Sequence, residues 1–572
     1  MILRMTPVRR FGFFRHLPVA AGLCLLIAGL ARGIAEEPPQ WKRFAVSTVH
    51  PLASQAAVST FEKGGNAVDA AIAAALTLGV VDGHNSGIGG GCFILIRASD
   101  GRITCLDGRE TAPISSHRDM FVRDGAVDHQ ASVTGPLAAG VPGALKAYEA
   151  ALSRHGKMRL EQILRPAADL AENGFPIDEV LASRIAAVRA DLARFPASRA
   201  IFLAPDGTAW PKGHVLRQRD LAETYRQIAE HGCGWFYEGD FAIRTERWMR
   251  SNGGILTAKD FASYRAVERE PLRTEYRGHQ IVGMPPPSSG GVHVAQILGL
   301  TEALPSGSGA ARRMHWMAES MKLAFADRAH WLGDPDFTGV PKGLVAPTYL
   351  ASLAKRIDPQ RVVEVERHGL PPHWEGDIFG KHTTHLCTAD SEGNWVALTQ
   401  TINTTFGSKV VVPGTGVMLN NEMDDFSTQP GVPNAFGLVG TEANSIAPRK
   451  RPLSSMSPTL VLKDNQPVLA TGAAGGPTII TQVALVISGV LELGLDPVKA
   501  LEQPRFHHQW RPDRLKIEAS VDPESIKALE GMGHPVAKTG RFGACQIILK
   551  HRASGDLWPA HDPRVPGASM GR

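Results

Sequence analysis

The sequence lacks an excess of charge over most of its length. Its 61 Lys+Arg against 56 Asp+Glu give a formal net charge of +5. Arg4, Arg9, Arg10, Arg15 and Arg32, unmatched by any acid within residues 1–35, account for all of it. The remainder is formally neutral and has no basic stripe to neutralise phosphates, which argues against nucleic acid as the main partner. Cysteine is scarce, at six in 572 residues. Cys24 lies in the first segment, and Cys92, Cys105, Cys233, Cys387 and Cys545 are widely spaced with no CxxC pair, so neither a disulfide framework nor a zinc ligand set is expected. Repeats and low-complexity blocks are absent. With 43% hydrophobic and 20% charged residues, the composition is that of an ordinary globular protein, of two to four domains or one large layered domain of two halves. Long apolar runs are missing except for one, Leu17 to Ala31. At about 15 residues it falls short of the about 20 that span a bilayer. Preceded by arginines and followed by Gly33-Ile34-Ala35, it reads as a cleaved secretory signal over residues 1–35, which implies a secreted or periplasmic protein without a stable membrane anchor.

In the body, Asn66 to Val81 is Ala-rich, follows a Gly-Gly break and predicts a buried helix. Ser86-Gly87-Ile88-Gly89-Gly90-Gly91 then leads into a strand-like Cys92 to Arg97. No Gly-Lys-Ser/Thr follows these glycines, so they read as a turn of close backbone packing, not a phosphate cradle. Residues 140–330 carry mostly helical patterns, such as Ala144–Arg154 and Ala310–His330, and Pro371–Lys381 has the composition of an exposed linker. Beyond it the chain turns strand-rich. Two β-prone runs flank Ser391-Glu392-Gly393, a hairpin loop with Gly where a left-handed residue is needed. If Asp390 pairs with Asn394, Thr383 lies opposite Thr401, and alternation puts Thr383, His385, Thr399, Thr401 and Asn403 on one face.

Residues 383–407, Leu419 to Ser427, Arg451 to Pro458, Gly475-Gly476 and Pro504 to His508, in that order, resemble the gamma-glutamyltransferases, also called glutathione hydrolases. Leu106-Asp-Gly-Arg-Glu110 and Gly87–Gly91 extend the resemblance into the first half. It implies an N-terminal-nucleophile hydrolase with an αββα four-layer sandwich, made as a precursor that cuts itself between His382 and Thr383. Residues 36–382 then form a large subunit and 383–572 a small catalytic one, held together as a heterodimer. Thr383 is the implied nucleophile, oriented by Thr401, with the N–H groups of Gly475 and Gly476 receiving the oxyanion ahead of a helix-like run, Thr478 to Leu491. For the γ-glutamyl zwitterion, Arg109, Ser454 and Ser455 match the carboxylate-binding positions. Asn403, Glu422 and Asp425 match the ammonium-binding ones.

Asp424 is the alternative to Asp425, since neighbours in an extended segment point to opposite sides. His507 and His508 tempt one toward a metal, but adjacent residues of a strand point apart, and neither a metal nor an organic cofactor is expected. The sequence departs from the family pattern at Phe436, where many bacterial members carry a lid tyrosine that bonds the active-site asparagine, and at Cys387, usually a hydroxylated residue. The expected activity is hydrolysis of glutathione and related γ-glutamyl amides, with transfer of the acyl group to water, amino acids or peptides. A cephalosporin-type acylase of the same fold and a catalytically inactive binding protein that never matures are the alternatives.

Overall fold

The computed structural model describes residues 41–304, 309–371 and 384–572. The expected signal (residues 1–35), the linker after Pro371 and the predicted cut between His382 and Thr383 lie outside the described residues.

Two antiparallel sheets face each other. The first has seven strands in the order Ala568–Gly571, Phe44–Thr48, Thr384–Asp390, Trp395–Thr401, Gly91–Arg97, Ile103–Gly108 and Val267–Arg269. The second has six, in the order Leu557–His561, Ala544–Lys550, Gln466–Ala474, Thr459–Lys463, His279–Gly283 and Leu272–Tyr276. Strand alternation decides which layer each side chain joins. In Gly91–Arg97, Phe93 and Leu95 meet Val282, Leu460, Ala470 and Ile548 of the other sheet in the central layer. Cys92, Ile94 and Ile96 turn outward onto helices Ala67–Val81 and Ala144–His155. On the far side, Leu469, Ala473 and Ile547 pack under helices Gly290–Thr301, Ala310–Trp331 and Thr478–Leu491. The result is the four-layer αββα sandwich.

The Ala-rich helix is buried at all of its residues, Ala67–Val81, and begins at Asn66, whose side chain and that of Asp69 form a reciprocal capping box. Its small side chains let it lie close against the first sheet. Gly89 and Gly90 keep their backbone tight in the same way: a Cβ on Gly90 would strike the carbonyl oxygen of Thr401, and one on Gly89 that of Met418. The glycine run is thus the close-packed turn that the sequence predicts.

The hairpin register also agrees with expectation. Thr384 pairs with Gln400 and Ala389 with Trp395, Asp390 and Asn394 close the turn by backbone and side-chain bonds, and Gly393 adopts φ +92°. The stretch 140–330 is mostly helical, as expected, and Leu272–Tyr276 and His279–Gly283 within it are strands at the edge of the second sheet. One expectation needs correction: Glu422–Asp425 is not extended but a 3-10 turn. All five cysteines among the described residues are buried and free. Among those residues no helix is long and apolar enough to cross a membrane.

Candidate active site

The site forms where Thr384–Asp390 begins and Trp395–Thr401 ends. Thr384 is fully buried and points to the helical side, where its hydroxyl donates to Asp82 Oδ2 at 2.8 Å. His385 points to the central layer, with Nδ1 2.8 Å from Thr399 Oγ1 and Nε2 3.2 Å from Cys387 Sγ. Burial lowers the His385 pKa to about 3 and pushes the Cys387 thiol well up, so both stay neutral. Thr401 Oγ1 accepts the backbone N–H of Asn403 at 2.7 Å. That bond helps to hold Asn403 at φ +74°, a left-handed turn out of the strand. Asn403 Nδ2 donates to the Asn421 carbonyl at 2.9 Å, and its Oδ1 is buried with no hydrogen-bond partner among the described residues.

Thr384, Asn403, Phe436, Gly475 and Gly476 line one cavity of about 850 Å³. Gly475 and Gly476, at φ +126° and +68°, turn the chain into the helix Thr478–Leu491. The glycine pair therefore precedes a helix start on the cavity wall, an arrangement suited to a developing negative charge.

Arg109, Glu422, Asp425, Ser454 and Ser455 are all buried, and none of them lines this cavity. Arg109 Nη2 donates to Asp425 Oδ2 at 2.7 Å, and Nη1 lies 2.7 Å from Glu422 Oε1 and 3.5 Å from Glu110 Oε2. Its Nε donates to the Pro452 carbonyl at 3.1 Å, so the 452–455 run wraps the guanidinium. Ser455 Oγ is buried without a partner among the described residues, whereas Ser454 Oγ accepts Met456 N–H at 3.3 Å. One guanidinium thus faces three carboxylates. Burial pushes Glu110 up to about 8 and Glu422 well up, against the pull of Arg109. Burial opposes the charge on Arg109, yet the three acids outweigh it and hold the guanidinium ionised.

The two aspartates have different partners: Asp424 accepts Ser132 Oγ at 2.7 Å and Ala435 N–H at 3.1 Å, while Asp425 takes Arg109. Asn434 Nδ2 lies 3.4 Å from Asp425 Oδ1, so the loop carrying Phe436 covers this carboxylate. His507 and His508 diverge, His507 to Thr481 and Gln509 and His508 to Asp513. Among the described residues no group of His, Cys, Asp and Glu is placed to hold a metal ion.

Sequence reading missed three contributors. Asp82 ends an apolar helix, and its only signal is an acid directly after that run. Asn421 lies within the Leu419 to Ser427 run, where nothing local marks it out. Arg328, in the helix Ala310–Trp331, is buried and donates from Nε to Ser289 Oγ at 3.3 Å, and Ser289 in turn holds the Ser454 carbonyl. A charge inside a long helical pattern reads as a solvated face, which hides such a residue.

Comparison with known proteins follows the same lines. The family model for gamma-glutamyltranspeptidase matches residues 53–572. The glutathione hydrolase proenzyme of Escherichia coli (strain K12) is 41% identical over 573 residues, covering 96% of this chain and 98% of that protein. The Acylase ACY 1 proenzyme of Pseudomonas sp. (strain SE83) is 35% identical, with 94% of each covered. Among solved structures, the cephalosporin acylase from Bacillus halodurans superposes with a TM-score of 0.85 at 29% identity, covering 94% of this chain and 97% of that one.

Proposed function

Because this chain belongs to the gamma-glutamyltranspeptidase family of N-terminal-nucleophile hydrolases and is an enzyme of the glutathione hydrolase kind, we propose that it cuts itself between His382 and Thr383 and then hydrolyses or transfers γ-glutamyl groups through Thr383. A threonine hydroxyl is a weak nucleophile that needs a base at hand. In the precursor it attacks the carbonyl of His382, giving an ester that water opens. The cut frees the α-amino group of Thr383, whose pKa near about 8 makes it a usable base at working pH. The hydroxyl then attacks the γ-amide of glutathione or a related donor, Gly475 and Gly476 receive the oxyanion, and the γ-glutamyl-threonine ester passes its acyl group to water, an amino acid or a peptide. Residues 36–382 and 383–572 stay together as large and small subunits, after export that removes residues 1–35.

The observation that carries this reading is the pairing of Thr384 with Gln400. Thr384, the residue after the proposed nucleophile, lines one cavity with Asn403, Gly475 and Gly476. The buried Arg109–Asp425 pair supports a γ-glutamyl donor, since a guanidinium and a carboxylate are the complement of the α-carboxylate and α-ammonium of such a donor. The likeness to the Bacillus halodurans cephalosporin acylase keeps an acylase as the second reading. Mass spectrometry of the purified protein should find a fragment starting at Thr383, while Thr383→Ala should remain one chain. Cleavage of the alanine variant at wild-type rate would refute Thr383 as nucleophile, and faster turnover of a glutaryl amide than of a γ-glutamyl anilide would favour the acylase.

A further inference from the structure

We propose that Asp82 is a positioning residue for the start of the catalytic strand, holding Thr384, and with it the bond before Thr383, in the register that self-cleavage and acyl transfer require. The inference rests on the reading of Thr383 given above and adds a residue to it.

Asp82 caps the C-terminal end of the buried helix Ala67–Val81, its backbone N–H bonded to the Leu78 carbonyl. An acid is a poor choice at that place: the negative end of the helix dipole repels it, and burial removes its water. The helix end needs only the backbone bond, so the carboxylate calls for another explanation, and its contacts supply one. Oδ2 accepts the Thr384 hydroxyl at 2.8 Å, and Oδ1 accepts Asn85 Nδ2 at 3.0 Å. The same turn grips the other side of the site. The Asn85 carbonyl accepts Ile402 N–H at 3.1 Å, and the His84 carbonyl accepts Phe406 N–H at 2.8 Å. One short turn therefore fixes the residue after the nucleophile and the residues on either side of Asn403. Asp82 and Thr384 both line the cavity that holds Gly475 and Gly476.

Ionisation makes the contact testable. Burial pushes the Asp82 carboxyl up to about 7, against the pull of its hydrogen bonds with Thr384 and Asn85. Its charged and titratable neighbours are His84 in its own turn, at 3.5 Å, Asp178 and Arg184 from the helix Glu179–Ala187 and its cap, and His50 ahead of Pro51–Glu62. Burial and Arg184 lower the His84 pKa to about 3, so His84 does not mimic a titration near neutrality, and burial lowers that of His50. Above about 7 the ionised carboxylate accepts a charge-assisted bond from Thr384, and below it that bond weakens. The precursor has no free amino group on Thr383, so its cleavage rate reads Asp82 without that second titration.

Precursor made by cell-free synthesis, followed on denaturing gels between about pH 5.5 and 8.5, tests this for wild type, Asp82→Asn and Thr384→Val. Wild-type cleavage should accelerate as the pH rises through about 7. Both variants should cleave roughly tenfold or more slowly, and Asp82→Asn should lose the rise near neutrality. Matured Thr384→Val should show a lowered kcat with a donor KM within about twofold of wild type. Thr384→Val keeps a β-branched residue in the strand, so it remains informative if Asp82→Asn folds poorly. Wild-type rates and pH profiles in both variants would overturn the inference alone. A wild-type chain that is never cut before Thr383 would overturn the functional reading and this inference with it.

Discussion

Arg109 and Asp425 lie 2.7 Å apart with fully buried side chains. In the proposed reading a γ-glutamyl donor presents the opposite charges, and its binding would exchange one desolvated pair for two. Truncating one partner of a buried ion pair strands the other, which typically costs about 3–5 kcal/mol. Arg109→Ala and Asp425→Ala should each lose roughly 100-fold or more in kcat/KM toward a γ-glutamyl anilide, while the cut before Thr383 proceeds. The two losses should differ in stability. Arg109→Ala leaves Glu110, Glu422 and Asp425 without their cation, whereas Asp425→Ala leaves Arg109 facing two acids. Steady-state rates with thermal melting of both variants check this. Near wild-type efficiency in both would remove the zwitterion clamp from the argument.

The element that guards this pair is the loop around Asn434, which bridges Asp425 and presents Phe436 to the cavity beside Asn403. Without a hydroxyl, Phe436 contributes packing against the outer core that includes Leu438. Phe436→Tyr would add one neutral hydrogen bond, worth about 0.5–1.5 kcal/mol net, and shift lid populations by roughly 2- to 13-fold. The ratio of transfer to hydrolysis at fixed acceptor concentration should change, with acylation by a small donor little altered. An unchanged ratio would mean that Phe436 packs on the rim without gating. Elements differ in how plainly the sequence announces them. Ser391-Glu392-Gly393 between alternating runs and the capped Ala-rich helix are legible because local chemistry alone dictates them. The strand Leu272-Arg-Thr-Glu-Tyr276 is not, because it is short, half-polar and at a sheet edge, so only pairing with His279–Gly283 makes it a strand. The turn Glu422–Asp425 is set by Arg109, 300 residues and more away in sequence, and no local pattern contains that contact.

At the scale of the whole molecule, the proposed cut does not divide the fold. Phe44–Thr48 lies between Ala568–Gly571 and Thr384–Asp390, and Trp395–Thr401 pairs with Gly91–Arg97. In the second sheet Thr459–Lys463 pairs with His279–Gly283. Each sheet combines strands from before and after residue 382, and the central layer draws side chains from both. Separating the pieces would open strand edges and a hydrophobic core together. The fragments should therefore co-elute in gel filtration at high salt and part only in denaturant. Elution as two species under native conditions would contradict the interleaved arrangement.

That strand order also imposes a sequence of events on each newly made chain. Ala45 is paired with Gly571, and Ser47 bonds Gln546 and the Ala560 carbonyl. The sheet that carries Thr384 is closed on that side by Ala568–Gly571, far along the chain from Thr384. Contacts of such span form late, because the intervening chain must first be ordered. If the proposed cut before Thr383 needs this closed sheet, it follows the synthesis and docking of Ala568–Gly571 and cannot run ahead of them.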